Sequence, residues 1–156
     1  MSRRRAGALA AVGVALLGGD LATERFGADA IVDAPNQHRA LAAAAAAGER
    51  FVAVGPPAAR LAVELVEPAA APRATIFVLH GIRDHKEHLR HWADELSRAG
   101  YRAVLVDSRG HGHSSGDWLT YGVQESRDLS ELVDALHLEG PIGVMGISYG
   151  AATAIE

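Results

Sequence analysis

Gly140-Pro141-Ile142-Gly143-Val144-Met145-Gly146-Ile147-Ser148-Tyr149-Gly150 runs directly into Ala151-Ala152-Thr153-Ala154-Ile155-Glu156. An apolar stretch of strand length meets a glycine-bounded turn, and then small residues suited to a closely packed helix. Gly146 and Gly150 stand two residues either side of Ser148, which gives G-x-S-x-G at a strand-to-helix junction. The turn has a steric logic: a Cβ at either glycine would meet neighbouring backbone. The serine itself is forced toward a strained φ/ψ region that lifts its Oγ clear of the sheet. The helix that follows aims its first amides at that hydroxyl, so the Tyr149 N–H is a candidate donor to an anion forming there. A dinucleotide fingerprint is a poor reading of this loop, because G-x-G-x-x-G needs glycine where Ser148 stands.

Upstream, the chain repeats a plan of apolar strand, polar loop and amphipathic helix. "RFVAVG" and "ARLAVELVEP" read as strands separated by Gly55-Pro56-Pro57, the second alternating Leu61, Val63 and Leu65 with an outward Glu64. "ATIFVLHG" is a buried strand, and "DHKEHLRHWADELSRAG" has helical spacing at Leu89, Trp92, Ala93 and Leu96 before Gly100, so that Trp92 reads as core. "YRAVLVDSRGHGHSSG" gives another buried strand and a glycine-rich loop, and "QESRDLSELVDALH" a helix with Leu129, Leu132, Val133 and Leu136 on one face. Strands that are apolar throughout and alternate with helices predict an α/β fold, with a mostly parallel sheet covered on both faces.

Three motifs occur in order: "VLHG" at Val78 to Gly81, "DSRGHGHSSG" at Asp107 to Gly116, and "GISYG" at Gly146 to Gly150. In these the chain resembles the N-terminal half of an α/β-hydrolase, and within that superfamily the esterase, lipase and serine-aminopeptidase branches. The resemblance covers roughly residues 60 to 156. It implies a serine hydrolase that cleaves an ester, thioester or peptide-type acyl bond through an acyl-enzyme on Ser148. The backbone N–H groups of Tyr149 and Ile82 would form the oxyanion hole. Gly146, Gly150, His80, Gly81 and Asp107 would support the elbow and its loops, with Asp107 ordering the "SRGHGHSSG" segment rather than acting as a nucleophile. Small-molecule, lipid or peptide acyl substrates follow, with no cofactor. The family's order is serine, then acid, then histidine, so both partners are expected beyond Glu156. The fold is therefore expected to be truncated after the elbow and the chain to be inactive by itself. The "PIGVMGIS" strand would be an apolar unpaired edge prone to aggregation. An acyltransferase, or a non-catalytic envelope-associated scaffold of the same fold, is the alternative.

Other candidate residues receive plainer readings. His85, His88 and His91 recur every third residue, and on an α-helix they would drift around about 120° of the surface, too far apart for zinc; no metal is predicted. Ser114 and Ser115 read as hydrogen-bonding turn residues, and Trp118 and Tyr121 as packing residues rather than the lining of an acyl pocket.

At the other end, Arg3, Arg4 and Arg5 precede an uninterrupted apolar run from Ala6 to Gly19 that Asp20 closes, the layout of an export signal. As a helix this run covers about 21 Å, short of a hydrocarbon core of about 30 Å, which favours a signal segment over a span. Ala28-Asp29-Ala30 is a small-x-small cleavage candidate, and the Ser-Arg-Arg-Arg start weakly resembles twin-arginine export. Residues 1–30 are thus expected to be a signal peptide or membrane anchor, 31–49 a linker and alanine-rich helix, and 50–156 the hydrolase half-domain. The protein is expected to be exported or membrane-associated. The 156 residues hold one ordinary core at a mean hydropathy of +0.06. A net charge of −4 argues against nucleic acid as a partner, and the absence of cysteine excludes disulfides and thiolate chemistry.

Overall fold

The computed structural model describes residues 23–36 and 47–156, so the apolar run at 6–19 and most of the alanine-rich segment lie outside the described residues. The chain divides into two units, Met1–Asp33 and Ala34–Glu156. In the first, residues 23–32 are helical, and the helix passes through the candidate cleavage tripeptide and past the expected boundary at residue 30. Among the described residues, no helix is long and apolar enough to cross a membrane.

The second unit is an α/β sheet. Its strands are β1 (Glu49–Val54), β2 (Ala59–Val66), β3 (Thr75–Leu79), β4 (Arg102–Val106) and β5 (Ile142–Gly146), in the order β1-β2-β4-β3-β5. The helices are α1 (Arg90–Arg98), α2 (Val123–Ala135) and α3 (Tyr149–Ile155). β3 runs parallel to β4 and β5, with helical crossovers between them, while the β1–β2 hairpin joins antiparallel to β4. The hairpin therefore makes the outer half of the described sheet antiparallel, and the parallel half carries the elbow. Parallel strands buried on both faces need apolar side chains at successive positions. Val104, Leu105 and Val106 supply them, as do Phe77, Val78 and Leu79, all essentially inaccessible to solvent.

One face of the sheet packs Leu61, Val63, Phe77, Leu79, Val104 and Val106 against Leu129 and Leu132 of α2. The other packs Val78, Ala103 and Leu105 against Leu89 and Ala93. Trp92 is not core: it is 44% exposed, with its ring 5.0 Å from that of His91. Lys86–Leu89 forms a 3₁₀ turn before α1 begins at Arg90, and the side that packs on the sheet is Leu89, Ala93 and Leu96, spaced i, i+4, i+7, while Trp92 stands about 100° around the helix from Ala93. β5 is the edge strand of the described sheet, with Ile142 and Val144 about 40% exposed. Trp118 is likewise exposed rather than packed, and lines an open cavity of about 320 Å³ with Pro57, Arg109 and Gln124. Tyr121 is partly exposed, with its ring edge-on to that of Tyr149.

Candidate active site

β5 ends at Gly146, and Ser148 occupies the turn into α3 at φ 51° and ψ −107°, a left-handed conformation that a residue with a Cβ adopts only under constraint. Ser148 is exposed, while Tyr149 and Gly150 beside it are buried. The constraint comes from the end of β3: Ile147 N–H donates to the Leu79 carbonyl at 3.1 Å, and Gly150 N–H to the His80 carbonyl at 3.1 Å. This approach is why position 150 is glycine. A Cβ there would lie 2.6 Å from the Leu79 oxygen and 2.8 Å from the His80 oxygen. At Gly146 an added Cβ would meet the backbone of Gly150 and Ala151 across the same turn.

The loop after β3 lies against the serine. A Cβ built on Gly81 would be 3.8 Å from the Ser148 Cβ. His80 is fully buried, with Nδ1 2.7 Å from the Gly81 carbonyl and Nε2 accepting the Ser108 N–H at 3.0 Å. Since Nε2 accepts, the proton sits on Nδ1 and is donated to Gly81. Burial pushes the imidazole below its ordinary range, so it is neutral at pH 7. The Gly81 carbonyl also accepts the Asp84 N–H at 3.2 Å. In a planar trans peptide the C=O and the next N–H point in opposite directions, so this anchoring turns the Ile82 N–H away from His80. Among the described residues, neither the Ile82 nor the Tyr149 N–H donates to a protein acceptor.

Asp107 is fully buried at the end of β4 and organises the next loop. Its Oδ1 accepts Lys86 N–H at 2.8 Å, and its Oδ2 accepts His113 N–H at 2.9 Å and Lys86 Nζ at 3.2 Å. Gly112, at φ 48°, makes room for that carboxylate, since a Cβ there would overlap it. Ser114 Oγ donates to the Asp107 carbonyl at 2.6 Å and accepts Ala62 N–H, while Ser115 Oγ accepts Arg60 N–H, so both serines bond β2 where it runs past the end of β4.

Several organising residues carry no sequence signal that singles them out. Lys86 is 1% exposed, its ammonium held by Glu49, Glu87 and Asp107; burial opposes its charge, yet the carboxylates push its pKa above the lysine range. Asn36 Nδ2 donates to the Ser114 carbonyl at 2.5 Å, and Ala34 and Asn36 N–H bond the same loop. Arg109 and Asp128 form a buried bidentate pair at 2.9 and 2.6 Å. Burial outweighs the guanidinium at Asp128, whose pKa is raised. Tyr149 OH donates to Glu125 at 2.6 Å, and Glu125 also accepts the Gly122 N–H and the Thr120 hydroxyl. Burial would raise the Glu125 pKa, but these donors hold it below the carboxylate range; burial and Glu125 together push the Tyr149 phenol upward.

This arrangement of elbow, glycine loop and anchored β4 loop agrees with the protein families the chain matches. The family model for serine aminopeptidase S33 covers residues 70–156. The chain belongs to this family of α/β-hydrolases. It is 32% identical over 84 residues to a monoacylglycerol lipase of Mycolicibacterium smegmatis, covering 54% of this chain and 28% of the lipase. It is 38% identical over 79 residues to epoxide hydrolase B of Mycobacterium tuberculosis, covering 51% of this chain and 19% of that protein. The solved structure of an esterase from Pyrococcus furiosus superposes with a TM-score of 0.59 at 26% identity, over 77% of this chain and 51% of the esterase. The chain thus spans less than a third of the length of these two curated relatives.

Proposed function

We propose that this α/β-hydrolase chain carries the nucleophile and oxyanion half of a serine hydrolase acting on an ester, thioester or peptide-type acyl bond. The observation that supports it most is the exposed Ser148 at a left-handed φ, beside the Tyr149 and Ile82 amides, which have no protein acceptor among the described residues. In the proposed reaction Ser148 Oγ attacks the acyl carbonyl carbon and the carbonyl oxygen takes the negative charge, facing the two amides. Collapse of the tetrahedral species expels the alcohol, thiol or amine and leaves an acyl-serine, which water then hydrolyses. Each such amide is worth about 3 to 4 kcal/mol to the transition state.

The serine proton needs a base. His80 and His111 are buried, with ring nitrogens turned to Gly81, Ser108 and Arg109, and among the described residues no histidine bonds the Ser148 hydroxyl. We assign that role to an acid and a histidine that follow the elbow in the family's order. Epoxide opening by a strand-end carboxylate is the weaker reading here: Asp107 is fully buried and bonded through both carboxylate oxygens. Incubation of the longest form the gene encodes with a fluorophosphonate probe tests the assignment. Labelling that disappears in Ser148→Ala is expected; labelling that persists in the variant, or never occurs in the parent, overturns it.

A further inference from the structure

The turn after the oxyanion loop brings two histidines together. His85 is the extended residue that precedes the 3₁₀ turn Lys86–Leu89, and the His88 N–H donates to its carbonyl at 3.3 Å. The His85 and His88 rings approach to 4.1 Å between centroids, while His91, on the α-helical part, stands beside Trp92. Asp84 joins the pair, its Oδ1 2.5 Å from His88 Nδ1, and ligating atoms of Asp84, His85 and His88 all lie within 4.8 Å of one another. All three side chains are at least partly open to solvent, so an ion can reach them.

We propose that Asp84, His85 and His88 form a binding site for a divalent transition-metal ion of the zinc class. Two imidazoles and one carboxylate suit zinc, nickel or copper rather than calcium or magnesium, which take oxygen ligands. Bonds of about 2.0–2.1 Å place two ligands of tetrahedral zinc about 3.3 Å apart, so the widest pair closes by no more than about 1.5 Å, and the Asp84–His88 hydrogen bond at 2.5 Å opens to admit the ion. Glu87 Oε2 lies 2.6 Å from His85 Nδ1, the second carboxylate that orients a ligating histidine and leaves Nε2 to face the metal. With three protein ligands, the fourth position is left to water. The site lies on the segment that leaves Gly81-Ile82, whose Gly81 carbonyl accepts the Asp84 N–H, so a bound ion pins the residues that follow the oxyanion loop. The proposal does not rest on the acyl-transfer reading.

The test is competition for Zn²⁺ between the full 156-residue chain and a chromophoric chelator, with Co²⁺ absorption as a second readout of coordination. One equivalent is expected to bind. Its affinity should fall at least about tenfold in His85→Ala and in His88→Ala, and by about tenfold in Glu87→Gln. It should be unchanged in His91→Ala and in Ser148→Ala. All these side chains are at the surface, so the variants keep the fold of the parent, which far-ultraviolet circular dichroism verifies. Absence of Zn²⁺ uptake at ion concentrations on the order of 1 mM, or equal loss in His91→Ala, overturns the proposal.

Discussion

Replacing Lys86 with methionine keeps most of the side-chain volume and removes one buried charge. Its ammonium lies 2.5 Å from Glu49 Oε1, 2.8 Å from Glu87 Oε1 and 3.2 Å from Asp107 Oδ2. Glu87 is half exposed and can turn to water, but the Glu49 and Asp107 side chains are only 4% and 1% accessible. Removing one member of a buried ionic group costs about 3–5 kcal/mol, because the other charge is left uncompensated. Asp107 keeps two backbone donors, from Lys86 and His113, so the lower figure of about 3 kcal/mol applies. That is a large share of a stability of about 5–15 kcal/mol. The pH dependence has a definite sign. In the parent, the Lys86 pKa is raised, so its contribution is complete at pH 7 and fades only above the lysine range. Burial works against the Glu87 charge, but Lys86 holds its carboxyl at about 2, so that contribution fades only as pH falls from the ordinary carboxylate range toward 2. In Lys86→Met the hold on Glu87 is lost, so the deficit should stay level down to about pH 4.5 and narrow as pH falls from there toward 2. Urea unfolding followed by circular dichroism at pH 7 and at about pH 3 measures it. A deficit below about 1 kcal/mol at pH 7, or one that widens on acidification, refutes the reasoning.

Gly150→Ala places a Cβ 2.6–2.8 Å from the Leu79 and His80 oxygens, which are backbone atoms with no freedom to swing away. A loss of about 1–3 kcal/mol or more is expected from the midpoint of thermal unfolding, whereas Ala151→Gly should cost under about 1 kcal/mol. His111 is held neutral by burial, its pKa lowered to about 4, while the unfolded chain protonates near the ordinary value of about 6.5. Stability should therefore be level above pH 6.5 and fall by about 3 kcal/mol as pH drops to 4. His111→Asn, which keeps a donor for the Arg109 carbonyl, should flatten that slope in urea midpoints at pH 7, 5.5 and 4.5, and an unchanged slope counts against it.

The parts of this fold that the sequence makes legible are those where sterics or burial dictate residue type locally. Val104, Leu105 and Val106 leave no reading except a strand covered on both sides, and the glycines at 146 and 150 mark a turn that admits no side chain. What escapes is set by neighbours distant in the chain. Lys86 sits in the polar run "DHKEH" and reads as a surface residue, yet its partner Asp107 lies 21 positions away. Asn36 finds the loop carbonyl of Ser114 at a separation of 78 residues. The direction of β2 is equally hidden: an apolar alternation reports the buried face, not whether the strand runs with or against its neighbour. Trp92 has helical spacing with Leu96 and reads as core, yet the sheet is covered by Leu89, Ala93 and Leu96, and which margin of an apolar stripe meets solvent depends on how the helix is turned against its neighbours.

The buried charges of Lys86, Asp107, Arg109 and Asp128 have a consequence for the candidate site. Buried ion pairs contribute little net stability, since desolvation offsets their attraction. Their effect here is geometric, and it runs through a chain of hydrogen bonds. Lys86 and His113 hold Asp107, and Arg109 is clamped to Asp128 in α2, so the backbone between Asp107 and Arg109 has one position. Ser108 N–H, in that interval, fixes His80 Nε2; the remaining His80 nitrogen fixes the Gly81 carbonyl; and the planar peptide fixes the Ile82 N–H. An apolar core of equal volume would stabilise the sheet as well, but it would leave that peptide free to rotate. In the proposed reaction the Ile82 donor has to be oriented before the negative charge appears, and directional bonds supply that where van der Waals packing does not.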